Sequence, residues 1–353
     1  MVSLELVPIR RPRDSSWDDR SNALAARRPF VHFAGSRLIS VSIYNVSVTH
    51  RPRAALTSDE RLTEQRNPHS KNLDRMSAEK ILRLMNREDA KVARAVAQEV
   101  PAIARAVDAI VRGIRNHGRL FYVGAGSSGR LGVLDAAECA PTFGTPRSLV
   151  QALIAGGKRA VTNAAEGAED SARNGERDLH ARKLTANDVV VGIAASGTTP
   201  YVLGALKHAR KRKATTVAVT ANRNMPVARV AHILIAPEVG PEVLTGSTRL
   251  KAGTAQKMVL NMLSTAAMVR LGHGYENLMI DLLSTNEKLS QRSQRILAEA
   301  SGKSLSTAEH ALRKSGRNLR VALVMLKKGV DAAAARQRLK ESANNLRNAL
   351  GEA

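Results

Sequence analysis

The 353-residue chain has one cysteine, Cys139, and one tryptophan, Trp17. A single thiol excludes a disulfide framework and any cysteine-based metal site, and no pair of histidines has zinc-ligand spacing. Aromatic residues make up 3% of the chain, so alanine, leucine and valine must fill the core. No apolar run approaches the roughly 20 residues that a membrane helix needs. The N-terminus lacks a basic-then-apolar leader, because Glu5 interrupts the first apolar residues and the arginines follow them. These absences predict a cytoplasmic protein with no membrane contact and no bound metal. Acidic residues are also in the minority, 31 against 55 basic ones, for a formal charge of +24. Such a surplus often marks nucleic-acid binding. Here it is spread along the chain, with no aromatic interleaving and no zinc or RNP motif. A specific nucleic-acid partner is therefore not expected, and an anionic substrate explains the charge as well.

What the chain does have is a hydrophobic share of 43% and enough length for one large domain plus a small one. Its most informative stretch is Leu120-Phe-Tyr-Val-Gly-Ala-Gly-Ser-Ser-Gly-Arg-Leu-Gly132. A short apolar, strand-prone run breaks into glycines and two serines, and a helix then begins. That layout presents backbone N–H groups and hydroxyls at a helix N-terminus, a site suited to phosphate. A second copy follows the run 188–194, as Ala195-Ser-Gly-Thr-Thr-Pro200. Two such turns predict one phosphorylated small molecule held between them, by Ser127, Ser128, Ser196, Gly197, Thr198 and Thr199. Gly124, Gly126 and Gly129 also spell G-x-G-x-x-G, but a dinucleotide fold wants an acidic residue after the next strand. The next apolar run, 149–155, ends instead in Gly156-Gly157-Lys158.

Strand-like runs at 120–123, 149–155, 189–194, 215–219 and 233–236 alternate with helical patterns. They predict an α/β fold with a doubly wound, five-stranded parallel sheet. Ligands then sit beyond the carboxyl ends of the strands, at the switch point, where both serine turns fall. Before the sheet, Ser77 caps a helix through Leu84 and another starts near Asp89. A third has Pro101 in its first turn, Ile103, Val107, Ile110, Val111 and Ile114 on one stripe, and Gly118 at its end. After Gly246 a long helix spans 254–271. Three short helices follow, near 306–314, 319–327 and 331–339, joined at Gly316 and Gly329. From Ser301 onward there are eleven basic and four acidic residues. This small bundle reads as a stabilising cap, or as an interaction module. Residues 1–55 hold nine arginines and no lysine. They read as a disordered basic extension or upstream translation artefact, with a basic docking arm as the alternative. The domain reading is 1–55 extension, 56–118 N-terminal helices, 119–296 phosphate-binding domain and 297–353 helical C-terminal domain.

Three groups of residues can do chemistry: Asp135-Ala-Ala-Glu-Cys-Ala-Pro-Thr-Phe-Gly144, Glu166-Gly-Ala-Glu-Asp-Ser171 and Thr245-Gly-Ser-Thr-Arg-Leu-Lys-Ala-Gly-Thr-Ala-Gln256. A lone glutamate near a helix start is commonly a dipole partner. Two glutamates that each follow an active-edge strand suit general acid–base work, which needs two carboxyls in unlike environments. The alanine-rich surroundings of Glu138 suggest desolvation. Cys139 reads as packing, since no histidine nearby in sequence can activate it.

The segments Val123-Gly-Ala-Gly-Ser-Ser-Gly-Arg-Leu-Gly132, Glu166-Gly-Ala-Glu-Asp-Ser171, Gly192-Ile-Ala-Ala-Ser-Gly-Thr-Thr-Pro-Tyr201, Leu244-Thr-Gly-Ser-Thr-Arg249, Lys251-Ala-Gly-Thr-Ala-Gln-Lys257 and Thr285-Asn-Glu-Lys288 resemble the N-acetylmuramic acid 6-phosphate etherases of the sugar isomerase (SIS) superfamily. The resemblance runs from about Leu56 to the C-terminus, and its motifs are long and specific. It implies a SIS-like fold and a lyase that removes the D-lactyl ether from C3 of N-acetylmuramic acid 6-phosphate. The products are N-acetylglucosamine 6-phosphate and D-lactate, in bacterial cell-wall sugar recycling, with no cofactor. By motif, Glu138 matches the family's proton donor and Glu169 its second catalytic glutamate, here assigned as the C2 base. The resemblance also implies a homodimer whose active site is completed across the interface. The apolar residues around most of 254–271 suit burial beyond one subunit. A phosphosugar isomerase would share the phosphate turns but lack Ala137-Glu-Cys139 together with Glu166-Gly-Ala-Glu-Asp170. A regulator like glucokinase regulatory protein has two SIS domains, whereas this chain shows one set of motifs. A SIS-type transcription regulator would need an N-terminal helix-turn-helix, and residues 1–55 show no paired helices.

Overall fold

The computed structural model describes residues 61–282 and 286–352. The basic stretch 1–55 and Thr285 of the Thr285–Lys288 motif lie outside the described residues.

Three helices precede the sheet: α1 (Ala78–Asp89), α2 (Val92–Gln98) and α3 (Val100–Arg115). Ser77 caps α1 by accepting from the Lys80 N–H at 3.4 Å. The apolar stripe of α3 is buried, with Ile103, Val107, Ile110 and Val111 all within the core. The left-handed residue that closes α3 is His117 (φ 63°), not Gly118. Gly118 serves a different need, since a Cβ there would lie 2.1 Å from the Asn187 carbonyl oxygen.

The sheet then alternates with helices: β1 (Leu120–Gly124), α4 (Gly126–Phe143), β2 (Val150–Ile154), α5 (Arg159–Thr162), α6 (Ala172–His180), β3 (Val189–Ile193), α7 (Pro200–Lys211), β4 (Thr215–Val219), α8 (Pro226–Val230), β5 (Ile233–Ile235) and α9 (Lys251–Arg270). Strand order is β2-β1-β3-β4-β5, and every pairing is parallel. The chain winds outward in one direction from β1 to β2 and in the other from β3 to β5. The switch point therefore lies between β1 and β3. One face of the sheet is covered by α3, α4 and α9, through Ile110, Leu260, Leu263 and Met268. The other is covered by α6 and α7, through Leu179, Val202 and Leu206. β1 and β3 are buried along their whole length, as expected for strands roofed on both faces.

The C-terminal helices are α10 (Glu287–Ser301), α11 (Leu305–Lys314), α12 (Leu319–Lys328), α13 (Ala332–Glu341) and α14 (Leu346–Leu350). Each begins at a polar cap, Asn286, Ser304, Asn318, Asp331 and Asn345, whose side chain accepts an N–H of the first turn. Their apolar faces meet in a separate core that also takes in Tyr275, Ile280 and Leu282, ahead of α10. Arg320 fastens this bundle to the end of α9, pairing with Asp281 at 2.5 Å while His273 holds the same carboxylate at 2.6 Å.

Candidate functional site

Two loops leave the carboxyl ends of the neighbouring strands β1 and β3. After β1 the chain turns through Gly126, at φ +50°, directly into α4. Gly124 and Gly129 pack backbone to backbone there, since a Cβ on Gly124 would lie 2.7 Å from the Gly129 nitrogen. This contact brings the first turn of α4, with Ser127 and Ser128, against the strand end. After β3 the loop turns at Gly197, where φ is +73° and a Cβ would meet that of Met225 at 2.5 Å. Ser196 Oγ accepts from both the Thr198 N–H (3.2 Å) and the Thr198 hydroxyl (3.0 Å). With its lone pairs so occupied, Ser196 has its own proton free to donate. α7 follows with Pro200 at its start, so its N-terminal dipole also points into the loop.

Between the loops lies a cavity of about 360 Å³ lined by Ser127, Ser128, Ser196, Thr198 and Thr199, with Glu169 and Asp170 on its rim. Gly197 shapes the loop but does not line the cavity. Two hydroxyl-rich helix N-termini facing one volume make a site for a dianion. Glu169 sits in a short turn, Ala168–Asp170, that ends at Ser171, the cap of α6. Its position follows from how closely α6 and α7 cross. A Cβ on Gly175 would lie 1.9 Å from the Tyr201 carbonyl oxygen, and one on Gly204 2.0 Å from that of Ala172. Arg130 of α4 pins the preceding loop by donating to the carbonyls of Val161 and Asn163, both at 3.0 Å.

The structure does not bring Glu138 into this cavity. It stands twelve residues past Gly126 on α4, about 18 Å along the helix axis, farther than a hexose phosphate reaches. Ala137 and Glu138 are exposed, so the expected desolvation is absent within the subunit. Glu138 lines a separate groove with Lys257, Asn261 and Thr265 of α9. Beneath it, buried Asp135 accepts from the Tyr122 hydroxyl (2.8 Å) and the Ser264 hydroxyl (3.0 Å). Burial raises the Asp135 carboxyl above its ordinary value, against these hydrogen bonds. Cys139 is buried, and its thiol is pushed up to about 12 by burial and then by Asp135 and Glu138. It is packing, not a nucleophile.

The cavity has a wall that motif reading missed. Arg61 and Glu64, ahead of α1, line it together with Gly246 and Thr248. Thr63, between them, is buried, accepts from Asn222 Nδ2 at 3.3 Å and donates to Glu64 at 3.2 Å. The Thr63 carbonyl takes the Gly246 N–H at 3.2 Å. The only available signal was a run of polar residues, Thr63-Glu-Gln-Arg-Asn67, ahead of a capped helix. Buried Glu242 likewise caps α9, accepting from the N–H groups of Lys251 (3.1 Å) and Ala252 (2.9 Å). Among the described residues no group of three or more His, Cys, Asp or Glu side chains is placed to hold a metal ion. No described helix is long and apolar enough to cross a membrane.

A parallel sheet with hydroxyl-lined loops at its switch point is the architecture of a sugar isomerase domain, and sequence profiles agree. Residues 157–266 match the SIS domain, and residues 102–210 match the glucokinase regulatory protein N-terminal SIS domain. Both matches fall on the one five-stranded sheet. The chain is 52% identical over 289 residues to the N-acetylmuramic acid 6-phosphate etherase of Pectobacterium atrosepticum, covering 82% of this chain and 95% of that protein. It is 53% identical to the etherase of the same name from Serratia proteamaculans, covering 82% and 97%. Among solved structures it is similar to a phosphoheptose isomerase from Francisella tularensis, at 16% identity and a TM-score of 0.41, over 54% of this chain and 98% of that one. The chain belongs to the N-acetylmuramic acid 6-phosphate etherase family.

Proposed function

We propose that the chain cleaves the D-lactyl ether of N-acetylmuramic acid 6-phosphate, giving N-acetylglucosamine 6-phosphate and D-lactate, in bacterial cell-wall sugar recycling. The carrying observation is identity above one half to etherases over nearly their whole length. The cavity supports it. Ser127, Ser128, Ser196 and Thr199 hold the 6-phosphate, Thr198 orients the Ser196 hydroxyl by donating to it, Gly197 gives the loop its turn, and Glu169 stands beside them at the sugar.

The reaction proceeds from the open-chain sugar, whose aldehyde acidifies the proton on C2. Glu169 takes that proton, and a general acid protonates the ether oxygen as the C3–O bond breaks. Water then adds to the unsaturated aldehyde. Glu138 is the acid by family motif, but within one subunit it is too far from the phosphate loops. We therefore place Glu138 of one subunit at the cavity of a second, in a homodimer. The face that carries it supports this reading: Leu134 is 44% exposed, and Leu131 and Met258 line an open groove beside Ser127 and Lys257. The same reading makes the protein a cytoplasmic enzyme.

The test is incubation of the purified chain with N-acetylmuramic acid 6-phosphate and assay of D-lactate. Conversion of hexose 6-phosphates without lactate release would favour an isomerase and reject the proposal. Light scattering at assay concentration tests the assembly, because a fully active monomer would contradict a shared site.

A further inference from the structure

Gln256, in the second turn of α9, is 3% exposed and lies directly behind the first phosphate loop. Its Oε1 is 2.9 Å from Ser128 Oγ, while its Nε2 is buried with no hydrogen-bond partner. A buried N–H donor without an acceptor costs roughly 1–3 kcal/mol. In this orientation Ser128 spends its single proton on Gln256. Only oxygen lone pairs would then face a phosphate, which also offers nothing but lone pairs. A half-turn of the amide frees the serine and leaves a less costly orphan. Nε2 then donates to Ser128 Oγ, the orphan becomes a carbonyl oxygen, which buried sites tolerate better, and the Ser128 proton is released toward the cavity.

We propose that Gln256 is a positioning residue that sets the direction of the Ser128 hydroxyl, donating to it so that Ser128 donates to the phosphate. The two amide orientations make the loop either a phosphate donor or a poor one. The ligand itself selects the donor arrangement, since only there does the Ser128 proton reach the phosphate. This inference rests on the reading of the cavity as a phosphosugar site and adds to it a residue that never touches the ligand.

The experiment measures N-acetylglucosamine 6-phosphate binding by calorimetry for the wild type, Ser128→Ala, Gln256→Leu, their double variant and Gln256→Glu, from pH 5 to 8. Ser128→Ala should weaken binding roughly ten- to a hundredfold, the loss of a hydrogen bond to a charged group. Gln256→Leu should lose a smaller but measurable factor, because the Ser128 hydroxyl remains and is no longer oriented, and the double variant should lose no more than Ser128→Ala, because Gln256 acts only through that hydroxyl. Gln256→Glu should bind poorly at pH 8, where the introduced carboxylate captures the Ser128 proton. Relative to wild type at each pH, it should recover as that carboxyl protonates and becomes a donor. Wild-type affinity in Gln256→Leu beside a weakened Ser128→Ala, additive losses in the double variant, or a pH-independent defect in Gln256→Glu would each overturn the inference. If Gln256→Glu does not fold, the cycle through Gln256→Leu still decides. Unchanged binding in Ser128→Ala would overturn the phosphate reading of the loop itself, and this inference with it.

Discussion

A buried ion pair outside the cavity lining is predicted to carry both stability and site geometry. Glu88 of α1 and Lys251 of α9 meet at 2.6 Å, with side chains 4% and 2% exposed. Lys91 reaches the same carboxylate at 2.5 Å and Asn67 at 3.1 Å. Burial alone would push the Glu88 carboxyl up, but the hydrogen bonds and charges of Lys251 and Lys91 outweigh it and hold the group at about 2, against an ordinary 4.5. Because the folded value is depressed, its stabilisation is fully present above pH 4.5 and is lost as pH falls toward 2. A gap of about 2.5 units corresponds to about 3.4 kcal/mol at pH 7 and falls to about 2 kcal/mol at pH 3.5. In Glu88→Gln that pH-dependent part is gone. Urea unfolding of the two proteins should therefore show a stability difference that narrows by about 1.4 kcal/mol between pH 7 and pH 3.5. A difference that stays constant over this range would refute the reasoning. Asn67 also donates to the Pro241 carbonyl at 3.0 Å, so the network ties the Arg61–Glu64 wall to the start of α9. Glu88→Gln should accordingly raise KM more than it lowers kcat.

Other outcomes follow from single contacts. Ser196→Ala should raise KM roughly ten- to a hundredfold through loss of a charge-assisted hydrogen bond; unchanged kinetics would remove that loop from the phosphate site. Gly204→Ala should cost roughly 1–3 kcal/mol in unfolding experiments, because the new methyl meets the Ala172 carbonyl and pushes apart the helices that place Glu169; unaltered stability would show that the crossing is loose. Glu138→Gln should slow lactate release by about 10²–10⁴-fold yet still wash solvent deuterium into C2 of the substrate, on the proposed role of Glu169 as the separate base. Loss of exchange together with cleavage would mean that one carboxylate does both jobs.

The sheet was legible because each strand is a short apolar run bounded by polar or glycine-rich turns. The five runs match β1 to β5 to within two residues at either end. The serine turns were legible for the same reason, since the feature proposed to bind phosphate is local, a strand end, a glycine and a helix start. The wall formed by Arg61 and Glu64 was not. It reaches the cavity only because Thr63 is locked by Asn222 and Gly246, contacts that span about 160 and 180 positions of sequence. No periodicity within residues 61–75 records them. The Glu88–Lys251 pair is hidden in the same way, as two charged residues on helices whose patterns give no sign that they face each other.

Glu138 shows a subtler limit. Its motif stands close to the phosphate loop in sequence, yet closeness in sequence is not closeness to the cavity. The intervening residues are one continuous helix from Gly126 to Phe143, and a helix advances about 1.5 Å per residue in a fixed direction. Twelve residues therefore carry Glu138 away from the loop at the start of the helix. Glu169, more than forty positions from Ser127, arrives beside it because β2 and the turn after it return the chain to the same edge of the sheet. If both glutamates act on one sugar, their separation within a subunit requires that the acid come from another copy of the α4 face. On the proposed reading the linear motif names the acid, and the helix geometry says which subunit supplies it.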